Sequence, residues 1–252
     1  MSAALSHQPL KGQIAVVTGG GRGIGRSIAL ALADAGADVC VTARSNDQLL
    51  EVVAGIEEHG RRGLAVNCDV SDRVAVEAMI DTVIQKLGRL DILVNNAGGG
   101  LERTKVGDDD PDNWVRVVEI NLFGTYYCSR AALPHLKASG NGRIINIGSG
   151  MGHEARATNS SYNVSKAGVW MLTRSMALQL ADEGVTVNEL VPGPVATELT
   201  AGVFEAGKKH PAMPTEFVKG PNDVVPLAMM LATQEPTGPT GQSFSLARRP
   251  IV

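Results

Sequence analysis

The run "TGGGRGIGRSIALALADAG" (residues 18–36) follows directly on the apolar stretch "QIAVVT" (13–18), and its glycines fall at 19, 20, 21, 23 and 25. A glycine-rich turn alone is a weak signal. Here it comes after a β-branched run and before a stretch of helical length, with the helix expected from about Gly25. The order has a physical reason. The backbone must turn tightly, approach a pyrophosphate closely, and offer the free N–H groups of a helix N-terminus to its charge. The stretch therefore predicts the first strand, turn and helix of a dinucleotide-binding βαβ unit.

The pattern of the first strand recurs along the chain. "DVCVTA" (38–43), "GLAVNC" (63–68), "LDILVN" (90–95), "RIINIG" (143–148) and "VTVNEL" (185–190) are each apolar enough to be buried on both faces. Parallel strands covered by helices read this way. Between them lie amphipathic stretches such as "SDRVAVEAMIDTVIQKLG" (71–88), with Ser71 as the expected N-cap and Gly88 as the C-terminal stop. The alternation predicts an α/β fold: a Rossmann-like, doubly wound parallel sheet of about seven strands, with right-handed crossovers and helices on both faces. The aspartates of "GDDDPDNW" (107–114) read as caps of the next helix rather than as metal ligands. Only 192–222, rich in Pro and Gly and without clear periodicity, breaks the rhythm. A long irregular insertion in a compact domain more often covers a site than merely connects elements. The expectation is one NAD(P)-binding domain over 1–252 with a substrate lid at about 194–222.

Composition narrows the partners. The chain has 252 residues, 44% of them hydrophobic, which suffices for one sizeable core. A net charge of -3 gives no bulk attraction to phosphate polymers, so no nucleic-acid partner is expected. The 3 cysteines, Cys40, Cys68 and Cys128, are odd in number and widely spaced, and read as buried thiols of a reducing compartment. The opening "MSAALSHQPLKG" has no apolar core of a signal peptide, and no run reaches the ~18 apolar residues of a membrane span. A soluble cytoplasmic protein with no membrane partner is expected. The 5 histidines are scattered, and no metal site is proposed.

Cofactor choice should show at the end of the second strand. An acidic residue about 20 positions past the glycine turn would bind a ribose 2′-hydroxyl and favour NAD. The chain instead places Ala43 there, followed by Arg44, and Arg22 in the glycine turn could reach the same spot. Guanidiniums pair with phosphate as a bidentate fork, so a 2′-phosphate and hence NADP(H) is preferred, NAD(H) remaining possible. In the alternative, Arg44 is merely solvated and Asp47 serves the ribose.

In "SSYNVSKAG" (160–168), Tyr162 and Lys166 stand four apart. By spacing alone they are ordinary helix neighbours. The surrounding motifs change that. Thr18 and Gly19 with Gly23 and Gly25, "CDV" at 68–70, "NNAG" at 95–98, Asn121 in "INLFG", Ser149 in "NIGSG", the Tyr162–Lys166 pair and "VPGPVATEL" at 191–199 occur in this order. Together they resemble the short-chain dehydrogenase/reductase family, in its compact single-domain branch.

The resemblance implies oxidoreduction between a ketone or aldehyde and an alcohol. Asn121, Ser149, Tyr162 and Lys166 match the family's catalytic positions. Tyr162 would be the general acid or base, Lys166 would favour phenolate and grip the nicotinamide ribose, Ser149 would hydrogen-bond the substrate oxygen, and Asn121 would hold a water. Free tyrosine, with a pKa near ~10, needs such help at neutral pH. Cofactor contacts would come from Gly19, Arg22, Gly23, Ile24 and Gly25, from Arg44, Asp69 and Val70, and from Asn95, Ala97 and Gly98. Pro192, Gly193, Val195 and Thr197 would complete them beside Tyr162 and Lys166.

Substrate would meet Met151, His153, Glu154, Ala157, Thr158 and Asn159 after Ser149, and Val195, Leu199 and Phe204 in the lid. For His153, a loop residue without a catalytic role is the simpler expectation. "GKKHP" (207–211) reads as a solvated part of the lid. Tyr127 and Leu178 stand where carrier-dependent acyl reductases of the family present arginines, which disfavours an acyl-carrier substrate. The ending "TGQSFSLARRPIV" matches the family at Thr240, Gly241 and Gln242, but departs from it at Arg248 and Arg249. Relatives pair the helices carrying Asn121 and Tyr162, which implies a homo-oligomer, dimer or tetramer. The competing functions are an NAD-dependent alcohol or polyol dehydrogenase and a non-catalytic NADP(H)-sensing regulator. A serine hydrolase is a poor fit, because Ser149 lies in G-S-G.

Overall fold

The computed structural model describes residues 8–100, 104–210 and 213–248. Strands β1 (Ile14–Thr18), β2 (Asp38–Ala43), β3 (Gly63–Asn67), β4 (Ile92–Asn95), β5 (Gly142–Ile147), β6 (Val185–Val191) and β9 (Ser243–Ser245) form one sheet in the order β3-β2-β1-β4-β5-β6-β9. Every pairing in it is parallel. The order reverses between β1 and β4, so the crevice opens at their carboxyl ends. The sheet separates two cores. Ala15 and Val17 of β1 face one, and Ile14 and Val16 face the other, as period-two alternation requires. Helices α1 (Gly23–Asp34), α2 (Asn46–Glu58) and α7 (Val225–Ala232) close the first through residues such as Ile28, Leu49 and Leu231. Helices α3 (Arg73–Leu87), α5 (Gly124–Ser139) and α6 (Ser160–Leu180) close the second through Ile80, Leu136 and Leu180. The predicted doubly wound α/β sheet of seven strands is therefore present.

Local expectations fared unevenly. Gly88 ends α3 in the left-handed conformation (φ 100°), as predicted. The N-cap of α3, however, is Asp72 and not Ser71: its carboxylate accepts from the N–H groups of Val74 and Ala75. Ser71 instead donates its hydroxyl to Asp69 Oδ1 at 2.7 Å. Asp110 caps α4 (Pro111–Val118) by accepting from the N–H of Asp112, in line with the cap reading of that acidic run. Helix α1 starts at Gly23, earlier than expected.

Between α4 and α5 the backbone passes through a π-helical turn, Glu119–Phe123. The stretch 192–222 is also more ordered than its composition suggested. It holds helical turns at Glu198–Thr200 and Pro221–Val224 and a small antiparallel hairpin, β7 (Lys209–His210) with β8 (Met213–Phe217). Its ends are pinned together: Lys219 donates its N–H to the Pro194 carbonyl, and Ala196 donates to that of Lys219, both at 2.9 Å. Arg249 and the residues after it, where the ending departs most, lie outside the described residues.

Candidate active site

A crevice of about 740 Å³ runs along the carboxyl ends of the strands, from Arg44 at one end to Tyr162 and the 192–222 segment at the other. The glycine turn forms its floor. Gly19 adopts φ 62°, and a side chain there would strike Ala97 and Asn96. Arg22 precedes α1 in extended conformation, makes no side-chain cap, and is followed by a first turn without acidic residues. The N–H groups at the start of α1 are thus left for an outside acceptor, which suits a pyrophosphate. Gly25 is different from the expectation. It does not line the crevice, because its Cα packs on the Gly19 carbonyl; a Cβ would come within 2.3 Å of that oxygen.

The far wall carries Arg22, Ala43, Arg44, Ser45 and Gln48. Neither Arg22 nor Arg44 has a carboxylate partner among the described residues, and Asp47 is absent from this wall. Asp69 and Val70 lie beside them. The Asp69 carboxylate already holds Arg116 at 2.6 Å and the Ser71 hydroxyl. Burial works against its charge, but the hydrogen bonds from Ser71 and Arg116 outweigh it and keep the group below the usual carboxylate range. Ala97 and Gly98 face the crevice together with Asn96, which the sequence reading passed over. Asn95 does not. It is buried, donating to Ser129 Oγ at 2.9 Å and to Asn146 Oδ1 at 2.8 Å, so it joins β4 to α5 and β5.

At the inner end Ser149, Tyr162, Lys166 and Asn121 converge. The π-helical turn is what carries Asn121 inward: its Nδ2 donates to the carbonyls of Gly99 and Val117, each at 2.8 Å. Ser149, separated from the end of β5 by Gly148 alone, caps the turn Gly150–Gly152 and hydrogen-bonds the Tyr162 phenol. Tyr162 and Lys166 occupy successive turns of α6, with Nζ 5.7 Å from the centre of the ring. Lys166 Nζ donates to the Ile147 carbonyl at 2.8 Å.

The expected lowering of the phenol by Lys166 is not what this crevice shows. Burial dominates and pushes Tyr162 above its ordinary value, opposed by the Ser149 hydrogen bond. Lys166 itself is lowered to about 8, because burial penalises the ammonium more than the charge of Glu189 supports it.

Among the expected substrate positions, Met151, Thr158, Asn159, Val195, Leu199 and Phe204 line this end, as do Pro192, Gly193, Thr197, Gly23 and Ile24 of the nucleotide set. His153 does not. Its side chain is turned inward, 2% exposed, with Nε2 2.8 Å from Glu189 Oε2. Glu154 and Ala157 are exposed and also lie off the wall. The wall gains Arg156, Val203, His210, Met213 and Glu216, which no local motif marks. The hairpin brings three of these in, and its pairing has no sequence signature at this length. The cysteines are free and buried, as expected. Among the described residues no cluster of three or more His, Cys, Asp or Glu could hold a metal, and no helix is long and apolar enough to cross a membrane.

A doubly wound sheet with an uncapped glycine turn and a Ser–Tyr–Lys–Asn cluster at its strand ends defines a nucleotide-dependent oxidoreductase class. The family profile described as "short chain dehydrogenase" matches residues 13–208. A cis-4-hydroxycyclohexanecarboxylate dehydrogenase from Sinomonas cyclohexanicum is 40% identical over 193 residues, 76% of each chain. A crystal structure of a short-chain type dehydrogenase/reductase from Mycobacterium marinum superimposes with TM-score 0.86 at 32% identity, covering 97% of this chain and 98% of that one. Carveol dehydrogenase from Mycobacterium avium, solved in complex with NAD, gives TM-score 0.85 at 27% identity, with 95% and 97% covered. The chain belongs to the short-chain dehydrogenase/reductase family, oxidoreductases that act on alcohol and carbonyl groups of small molecules with a nicotinamide cofactor.

Proposed function

We propose that the protein is an NADP(H)-dependent oxidoreductase that interconverts a ketone or aldehyde and the corresponding alcohol, with Tyr162 as general acid and base. The observation that carries this is the convergence of Tyr162, Ser149, Lys166 and Asn121 at the closed end of a crevice floored by the uncapped start of α1. A nicotinamide nucleotide, when bound, supplies or accepts the hydride. Ser149, at the end of β5, hydrogen-bonds the substrate oxygen and offsets the charge that develops there. In reduction Tyr162 gives its phenolic proton to that oxygen, and in oxidation it takes the proton back. A phenol kept protonated by burial is ready to donate. Lys166 presents a cation one turn away, and Asn121 holds the backbone of Gly99 at the crevice wall.

Arg22 and Arg44 support the preference for NADP(H): both face the crevice without a carboxylate partner, and Ala43 stands where NAD enzymes would need an acid. The NAD complex of the carveol dehydrogenase favours the second reading, an NAD-dependent alcohol dehydrogenase. A sensor without turnover is disfavoured by the presence of all four catalytic side chains. The segment 194–222 serves as the substrate lid of a single-domain enzyme; Leu199, Phe204 and Met213 supply its crevice face. Exposed Val164, Met171 and Leu178 recur at seven-residue spacing on α6, which supports association of copies through that helix. Unpaired buried thiols suit a cytoplasmic setting.

The test is a titration of NADPH and NADH, followed by turnover on a panel of ketones and alcohols that starts with cis-4-hydroxycyclohexanecarboxylate and carveol. Tighter NADPH binding, and turnover that falls by orders of magnitude in Tyr162→Phe, are expected. Turnover unchanged in that variant contradicts the mechanism, and tighter NADH binding contradicts the cofactor assignment.

A further inference from the structure

Behind the catalytic cluster lies a buried carboxylate that the mechanism above does not use. The sheet register aligns Asn95 of β4, Asn146 of β5, Glu189 of β6 and Ser243 of β9 in one polar row across four strands. Asn95 donates its amide to Asn146 Oδ1, and Asn146 donates its own to Thr173 Oγ1 of α6, while Asn95 Oδ1 is buried without a hydrogen-bond partner among the described residues. Glu189 is wholly buried, on a strand otherwise filled with apolar and neutral side chains. A carboxylate in such a place persists only if something compensates its charge.

One of its oxygens is tightly held. Oε2 accepts from Ser243 Oγ at 2.5 Å and meets His153 Nε2 at 2.8 Å. The His153 ring is itself boxed in by Trp170 of α6, ring centres 5.0 Å apart, and Arg174 stacks on the outer side of that indole. The other oxygen, Oε1, is buried with no hydrogen-bond partner among the described residues. It lies against Gly148, where any side chain would overlap it. Gly148 joins Ile147, whose carbonyl holds Lys166 Nζ, to Ser149, which touches Tyr162. The open oxygen thus abuts the peptide segment that positions both the ammonium and the serine.

We propose that Glu189 is a positioning residue for Lys166: clamped through one oxygen by His153 and Ser243, it is the fixed counter-charge that keeps the buried ammonium protonated beside Tyr162. The proposal rests on the reading of Tyr162 and Lys166 as the proton-handling pair. Its electrostatics have the right direction. Burial draws Lys166 down to about 8, and the Glu189 charge is what opposes that fall. Among the described residues, the groups around the ammonium are Glu189 from β6, Tyr162 from α6 itself and the neutral Asn121 amide across Gly98; His153 stands behind Glu189. Removing the carboxylate leaves burial unopposed, so Lys166 should lose its proton at lower pH.

The experiment titrates Lys166 directly in the full chain, by NMR of ¹³C-labelled lysine, with its signal identified by its loss in Lys166→Met. Glu189→Gln should lower the midpoint by about one pH unit or more. Glu189→Asp, which keeps the charge but draws it back, should fall between that variant and the parent. The alkaline fall of kcat should move down in step. A merely structural role would change stability without moving the midpoint. An unchanged midpoint in folded Glu189→Gln overturns the proposal, and Glu189→Asp carries the same test if the glutamine variant does not fold. Because the titration needs neither nucleotide nor substrate, absence of turnover alongside a shifted midpoint would count against the proposed reaction and leave this inference standing.

Discussion

Lys166 is tied to Ile147: its Nζ donates to that backbone carbonyl at 2.8 Å, nineteen residues away in sequence and on the neighbouring strand. The bond fixes a buried ammonium at the strand end where Ser149 begins, and it gives the lysine a measurable thermodynamic signature. Unfolded, the group titrates near 10.5; folded, it is lowered to about 8. A base lowered on folding binds its proton less readily in the native state, so stability rises as pH rises from about 8 to about 10.5. Relative to Lys166→Met, which lacks this titration, the parent should therefore gain up to about 3 kcal/mol of stability across that window. Denaturant midpoints of both proteins across that pH range check it.

Tyr162→Phe keeps the ring and removes the phenolic hydroxyl, and with it both the exchangeable proton and the Ser149 hydrogen bond. Turnover should fall by roughly 10²–10⁴-fold, the usual worth of a positioned acid or base, with nucleotide affinity nearly unchanged. Single-turnover oxidation of NADPH beside a nucleotide-binding titration separates the two quantities.

Arg44→Asp places a carboxylate where the wall of the crevice now carries a guanidinium. A hydrogen bond to a charged group is worth about 1.5–3 kcal/mol, so NADPH affinity should drop at least about tenfold while NADH affinity holds or improves. An NADPH to NADH ratio that stays constant would point to Arg22 as the only phosphate reader.

The N-cap assignment separates two adjacent residues. Asp72→Ala should cost about 1 kcal/mol, since it strips the acceptor from the N–H groups of Val74 and Ala75. Ser71→Ala should leave α3 nearly as stable and loosen Asp69 instead. Thermal unfolding of both variants distinguishes them.

The thiols should be inert in the folded protein. Burial pushes Cys40 to about 12 and Cys68 to about 11, and raises Cys128 as well. Since the thiolate is the reacting species, alkylation at pH 8 should be negligible until denaturant is added, then quickly modify all three. Mass spectrometry of the alkylated chain reads the count.

What could be read from the sequence follows the reach of each signal. Six strands of the sheet were legible as short apolar runs, although β3, at the sheet edge, is only partly buried; β9 at the other edge, Ser243–Ser245, has no β-branched residue and was not legible. The glycine turn was legible because its spacing between an apolar run and a helical stretch is local, although the contacts that demand glycine at Gly19 come from Asn96 and Ala97 on another strand end. Asn95 was misassigned because its motif puts it next to Asn96, and only strand parity decides which of the two faces the crevice. His153 escaped because its partner, Glu189, lies on another strand, 36 residues on. Ser71 and Asp72 are both good caps, and nothing local ranks them. The hairpin at 209–217 is too short to carry an alternation, so the crevice positions His210, Met213 and Glu216 could not be inferred.

The cross-link between Pro194, Ala196 and Lys219 closes a neck on the segment between them, before the chain goes on through the turn Pro221–Val224 and α7 to β9. Everything between is a loop hung from a closed neck. Because the neck closes on itself, the proposed lid can change in length or side chains while the register of β6 and β9, and with it the places of Ser149, Tyr162 and Lys166, is kept.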